Sequence, residues 1–275
     1  MVLRFFILAV AFLLSCTSIE RDSVCDEESI NYNGCVGGSS SSGSIVYGEP
    51  VIYESETYET VLIGTQTWMA RNLNYSMFNS GKCYGEGGQV YVEGNYETLS
   101  NAKIQANCNK YGRLYNWTTA MALPEICNTY SCVSQIKTKH QGICPRGWHI
   151  PNNDDWKKLV NYVERSNDCS SCAARYLKAT SGWEGDSYYG NGEDKYGFSA
   201  LPGGSGIYFN DDDGGFGYFH DDGGSWWSAS EGSGTSNAYS WYMPGGSVYY
   251  KDDEVSYNNN NYGKDGLLSV RCLQD

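Results

Sequence analysis

Apolar and polar positions divide the chain into three regimes. Phe5 to Leu14 is a short unbroken apolar run behind one charged residue, Arg4. Residues 17–46 are polar, without periodicity, and include Gly37-Gly38-Ser39-Ser40-Ser41-Ser42-Gly43-Ser44, the composition of a flexible coil. From Tyr47 onward, patterned segments alternate with glycine-rich ones. Residues 58–69 predict two short strands around a turn at Gly64. Tyr111 to Leu123 has helical spacing around Leu114, Trp117 and Met121, closed by Pro124. The clearest helix runs from Asn153 to Glu164, where Trp156, Leu159, Val160 and Val163 fall at i, i+3, i+4 and i+7. Asn152 is its expected N-cap, and Asp154 and Asp155 place negative charge at its positive end. A shorter helix is predicted over Ala173 to Ala179, ending near Gly182. Beyond Trp183, apolar islands at 196–201, 225–229, 238–243, 246–250 and 267–273 predict short strands between long loops. Helices in the first half and strands in the second give an α+β class.

The N-terminal run is too short to cross a bilayer of ~30 Å as a helix. It ends in Leu13-Leu14-Ser15-Cys16, which predicts a bacterial lipoprotein signal, cleavage before Cys16 and acylation of that cysteine. An ordinary secretory signal ending in cysteine is the alternative, and either exports the chain. The expected organisation is a signal peptide at 1–15, a lipidated tether at 16–46 and one domain at 47–275. The expected location is the outer membrane, lipid-anchored, on the cell surface or the periplasmic face.

Eleven cysteines less the lipidated one leave an even number, suited to five disulfides in an oxidising compartment. Closeness suggests Cys25 with Cys35, Cys127 with Cys132, and Cys169 with Cys172. For the remaining four we pair Cys83 with Cys108 and Cys144 with Cys272, although spacing alone leaves connectivity open. In the loop-entropy model a closure as long as 144–272 stabilises by about 4 to 5 kcal/mol.

Charge narrows the partners. With 32 acidic against 19 basic residues, net −13, the chain repels nucleic acid and anionic lipid heads. Acyl groups rather than a basic patch would therefore hold it to a membrane. The 24 tyrosines and 8 tryptophans offer flat faces with polar tips, suited either to sugar stacking or to filling the core of a helix-poor domain.

Ordered blocks along the chain carry a resemblance. Val61-Leu62-Ile63-Gly64-Thr65-Gln66-Thr67-Trp68-Met69-Ala70-Arg71-Asn72-Leu73-Asn74-Tyr75 is followed by Cys83-Tyr84 and by Tyr111-Gly112-Arg113-Leu114-Tyr115-Asn116-Trp117. Next come Cys144-Pro145-Arg146-Gly147-Trp148-His149-Ile150-Pro151 with Asp155-Trp156, then Leu177-Lys178 through Ser181-Gly182-Trp183. Asp194-Lys195-Tyr196-Gly197-Phe198-Ser199-Ala200-Leu201-Pro202-Gly203-Gly204, Trp226-Trp227-Ser228 and Ser269-Val270-Arg271-Cys272 complete the set. Over residues ~58 to 275 this resembles the Fibrobacter succinogenes major paralogous domain. The resemblance implies a surface protein, often a lipoprotein, with a C-type-lectin-like fold related to formylglycine-generating domains. In that layout two helices pack beside a sheet that joins the termini, and a Cys144–Cys272 bridge fits it.

Candidate chemistry divides into four groups. His149, in Gly-Trp-His-Ile-Pro, reads as structural rather than catalytic, and His140, His149 and His220 show no metal-ligand spacing. Cys169-Ser170-Ser171-Cys172 precedes a helix, where a redox dithiol gains a low pKa, but without a βαβ unit it reads as a loop staple. Asp211, Asp212, Asp213, Asp221 and Asp222 lie in glycine-rich loops with Glu193 and Asp194 nearby in sequence, a calcium candidate in which neither an EF-hand nor a lectin triplet appears. Trp226, Trp227, Tyr239, Trp241, Tyr242, Tyr249 and Tyr250, beside Asn258 to Asn261, form a candidate glycan surface. Strand alternation there would turn Trp226 or Trp227, but not both, to solvent.

The expected function is a non-catalytic surface module that binds polysaccharide or another envelope component, such as a surface protein. A structural surface protein without a small ligand is the main alternative. A formylglycine-generating-like enzyme would need an unpaired cysteine, which the cysteine parity disfavours.

Overall fold

A computed structural model describes residues 44–76, 81–92, 95–183, 190–208, 216–220, 223–245 and 255–275, all within the unit Gly43–Asp275. Val51–Tyr53 (β1) and Glu56–Tyr58 (β2) pair as an antiparallel hairpin. Thr60–Ile63 (β3) and Gln66–Met69 (β4) form a second, with the residues expected from the pattern. Gly64 turns it at φ +63, a left-handed conformation that glycine adopts without a Cβ clash. In β3 Val61 and Ile63 are buried while Leu62 faces out, and Thr60, also buried, donates from its hydroxyl to the Glu49 carbonyl at 3.0 Å.

Gln89–Val92 (β5) and Asn95–Glu97 (β6) form another hairpin, and a helix, Asn101–Tyr111 (α1), follows it. The helical spacing at 111–123 resolves differently from its expected single helix. Gly112, at φ +78, ends α1, Leu114–Tyr115 (β7) is a strand, and only Trp117–Ala120 (α2) is helical. The Asn116 side chain accepts from the Thr119 N–H and starts that short helix. Two 3-10 turns, Glu125–Asn128 and Val133–Gln135, lead to Trp148–His149 (β8).

Asn153–Ser166 (α3) is the long amphipathic helix, with Trp156, Leu159 and Val163 buried. Its start is a capping box. Asn152 Oδ1 accepts from the N–H groups of Asp154 and Asp155, and Asp155 Oδ2 accepts from the Asn152 N–H at 3.0 Å. Ala173–Leu177 (α4) follows, shorter by two residues than expected. The island at 196–201 forms no strand. Asp194, Gly197 and Ser199 all hold positive φ, and Asp194 accepts from the Ser199 N–H and Oγ, so the chain turns there instead of extending.

The second half supplies Ser205–Tyr208 (β9), Phe216–His220 (β10), Gly223–Glu231 (β11), Asn237–Pro244 (β12), Ser256–Gly263 (β13), Leu268–Ser269 (β14) and Leu273–Gln274 (β15). β13 contains Asn258 to Asn261, so the run expected to flank the aromatics is itself a strand of the sheet. Three larger sheets result, ordered β3-β4-β15-β8, β13-β12-β11-β14-β7 and β6-β5-β10-β9. The fold is therefore α+β, dominated by sheet. Among the described residues four disulfides staple it, joining Cys83 to Cys108, Cys127 to Cys132, Cys144 to Cys272 and Cys169 to Cys172. The Cys144–Cys272 bond lies just ahead of β8 and β15, whose residues pair as Leu273 with His149 and Gln274 with Trp148.

Around Trp226 and Trp227 of β11 the five-stranded sheet is covered on both faces. On one, Trp226 lies opposite Trp241 and both pack on Trp156 of α3, which stacks on Trp241 at 5.8 Å and 17°. On the other, Trp227 packs with Tyr115, Trp117, Ile150 and Tyr262. A strand buried on both faces has no solvent side, so neither tryptophan is exposed. This corrects the expected alternation.

A groove between helix α3 and the β3–β4 turn

The three tryptophans named for ligand binding belong to the core. Trp226 and Trp227 are fully buried and Trp241 nearly so, and each indole N–H has a partner inside: Asn72 Oδ1, the Tyr115 carbonyl and Asn153 Oδ1. A buried, hydrogen-bonded indole presents no face to a sugar, so these three are withdrawn as stacking residues. Tyr239 and Tyr242 are half-buried on β12. Tyr249, Tyr250, the calcium candidates Asp211, Asp212, Asp213, Asp221 and Asp222, and Cys16, Cys25 and Cys35 lie outside the described residues. Among the described residues no group of three His, Cys, Asp or Glu side chains could hold a metal, and no helix is long and apolar enough to cross a membrane.

His149 is buried and bridged on both ring nitrogens, by Asp275 Oδ1 at 2.8 Å and by Asp155 Oδ2 at 3.5 Å. Since Asp155 also closes the α3 capping box, His149 ties β8 to the helix start and to the last residue. Cys169 and Cys172 are bonded to each other in the loop before α4.

The solvent face of α3 carries a different arrangement. Lys158, Asn161, Tyr162 and Arg165 recur at i, i+3, i+4 and i+7, the polar counterpart of the buried tryptophan stripe. They line a groove of about 600 Å³ together with Asp154 and Lys157. Its second wall is the β3–β4 turn, from Ile63 to Gln66. Gln66 fixes that wall by donating from Nε2 to the Asp155 carbonyl at 3.0 Å. Gly64 lets it approach closely, since a Cβ there would stand 2.8 Å from the Tyr162 ring. Tyr162 meets Tyr196 edge-on at 6.1 Å and is still 42% exposed.

Charge in the groove opposes that of the chain. Three cations face one carboxylate, Asp154, which is 3.9 Å from Lys157. Lys158 and Arg165 enter no ion pair among the described residues. A second cleft of about 700 Å³, beside the Cys83–Cys108 bond, also holds two cations. There, however, Lys82 and Arg113 approach Glu86 at 3.6 and 3.8 Å, and Arg113 also donates to the Gly81 carbonyl. Of these two, the α3 groove is the one that combines an exposed ring, amide and hydroxyl groups, and cations without a carboxylate partner among the described residues.

An exposed tyrosine in the polar stripe of an otherwise clear amphipathic helix is the sequence signal that could have found this groove. The opposing wall carries none, because its approach depends on the fold.

The geometry defines an α+β, disulfide-stapled domain with a solvent-facing groove on its principal helix. The model of the Fibrobacter succinogenes major domain matches residues 61–274, and the chain belongs to that family. No curated protein and no solved structure matches the chain.

Proposed function

We propose that this protein is a surface-displayed, non-catalytic module that binds polysaccharide. The observation that carries the reading is the α3 groove, where Tyr162 stands exposed among hydrogen-bonding groups while the other large aromatics of α3 and β11 are buried. A ring of this kind stacks on the apolar face of a sugar, and Asn161 and Thr65 lie beside it to bond hydroxyls. All eight described cysteines are in disulfides, which favours binding over formylglycine-generating-like chemistry that needs a free thiol.

Lipidation at Cys16, with residues 17–46 as the tether, would hold the module at the outer membrane. Calcium at Asp211 to Asp213, Asp221 and Asp222 remains part of the proposal. The C-type-lectin-like layout draws support from the sheet in which β15, near the C-terminus, joins β3 and β4. The structural-protein alternative draws its support from the core position of Trp226, Trp227 and Trp241.

The test is retention of the full-length protein on cellulose, xylan, galactan and pectin, with and without Ca²⁺. Retention that Tyr162→Ala abolishes supports the reading. Failure on every glycan favours the structural alternative.

A further inference from the structure

We propose that the α3 groove takes an anionic saccharide, one bearing carboxylates or sulfate esters at regular spacing. This rests on the polysaccharide-binding reading and narrows its ligand class. The acidic residues of α3 are turned to other tasks. Asp155 accepts from the Asn152 N–H and faces His149, Glu164 Oε1 accepts from the Ser171 N–H at 2.8 Å, and Asp154 sits beside Lys157. Lys158 and Arg165 are left pointing into the groove without carboxylate partners among the described residues. They stand on one helix face two turns apart, about 10.5 Å along the axis, roughly the length of a disaccharide.

That pairing matters because the rest of the chain works against it. A protein of net −13 repels polyanions, so any anion it holds is held by a local field. Clustering Lys158 and Arg165, without carboxylate partners among the described residues, in one groove of such a chain raises the local concentration of anions there. A neutral glycan can accept hydrogen bonds from them but gains no Coulomb attraction. Arg165 can engage a carboxylate or sulfate through two parallel N–H bonds, Lys158 as a point charge, with Tyr162 between them for the ring face. The tyrosine and amide favour a saccharide over an acidic peptide.

The experiment measures binding of the full-length protein to polygalacturonate, dextran sulfate, neutral galactan and polyglutamate, from low to physiological salt. The expected result is at least about tenfold tighter binding to polygalacturonate or dextran sulfate than to galactan, weakening as salt rises. Which of the two binds tells uronate from sulfate ester. Lys158→Glu with Arg165→Glu should cost about tenfold or more, with near-ultraviolet circular dichroism unchanged because both side chains are exposed. Four results would overturn the proposal. Equal, salt-insensitive binding to galactan that Tyr162→Ala removes keeps the polysaccharide reading and discards the anion. Polyglutamate binding as tightly as polygalacturonate discards the saccharide. Polyanion binding that survives the double charge reversal discards the groove, and no binding to any of these probes discards the anionic saccharide, with the polysaccharide reading falling as well only if cellulose and xylan also fail to bind.

Discussion

Arg271 donates from both Nε and Nη2 to a single acceptor, the side-chain oxygen of Asn72, across 199 residues of chain. The same oxygen accepts from Trp226 Nε1 at 2.8 Å, and Arg271 Nη1 donates to the Phe198 carbonyl. The guanidinium lies 4.3 Å from the centre of the Phe198 ring and is fully buried, with no carboxylate within ion-pair distance among the described residues. Burial pushes its pKa down to about 9, a shift that Asp194 partly opposes, and it remains a cation at neutral pH. An amide dipole, a carbonyl and a ring thus stand in for a counter-ion. Removing the amide strands a buried charge, so Asn72→Ala should cost about 3–5 kcal/mol. Arg271→Met removes the charge itself and should cost clearly less. Denaturant titration of both variants decides it, and equal losses would mean that the charge is not the liability.

A second buried cation has a true partner. Lys264, with no solvent exposure, donates to Glu231 Oε1 at 2.8 Å and to the carbonyls of Cys127 and Thr235, and lies 4.6 Å from the Trp117 ring centre. This clamp ties the Cys127–Cys132 loop to the β11–β12 hairpin. Burial alone would raise the Glu231 carboxyl pKa. The Cys132 N–H, the Lys264 ammonium and the Ser131 hydroxyl outweigh it and hold the value below the usual 4.5. A depressed carboxylate pKa stabilises the fold above the unfolded value and loses that contribution as pH falls through the folded one. Urea unfolding from neutral pH to below 4.5 should therefore fall more steeply for the wild type than for Glu231→Gln. At neutral pH the variant should be weaker by about 2–3 kcal/mol. Parallel curves would rule out the carboxylate as the acid-sensitive group.

The disulfides make unequal closures. Cys144–Cys272 spans 128 residues and Cys127–Cys132 spans 5. Loop entropy gives about 5 kcal/mol for the first and about 2 kcal/mol for the second. Replacing both cysteines of each pair by alanine should reproduce that order in thermal unfolding. The opposite order would point to native-state contacts at the short loop, where the Lys264 clamp also acts.

Legibility in the sequence followed how locally each element is determined. Helix α3 was readable because its stripe, cap and first-turn acids all lie within sixteen residues of one another. Helix α1 was not, because its one buried residue is Cys108, and what anchors it is the bond to Cys83 rather than an apolar face. Trp226 and Trp227 depart from the alternation rule for a non-local reason. The alternation rule assumes an open sheet face, and the covers, Trp156 on one side and Tyr115 with Trp117 on the other, come from distant segments. The α3 groove was half readable: Lys158, Tyr162 and Arg165 sit in a visible stripe, while the wall opposite them depends on where Gly64 lands.

That wall supplies the sharpest mechanical test. Gly64 holds φ +63, and a Cβ added there would stand 2.8 Å from Tyr162 Cδ2. Gly64→Ala therefore suffers twice, from left-handed backbone strain of about 1–2 kcal/mol and from displacement of the ring. At about 2–4 °C per kcal/mol, the backbone part alone should lower the Tm by about 2–8 °C. In a Tyr162→Ala background only the backbone part remains, so the two substitutions should be non-additive by about 0.5 kcal/mol or more. The same cycle read on glycan retention should show Gly64→Ala weakening binding when Tyr162 is present and having no further effect when it is absent. If the stabilities add without a coupling, the ring does not rest on the turn, and the groove loses the contact that sets its width.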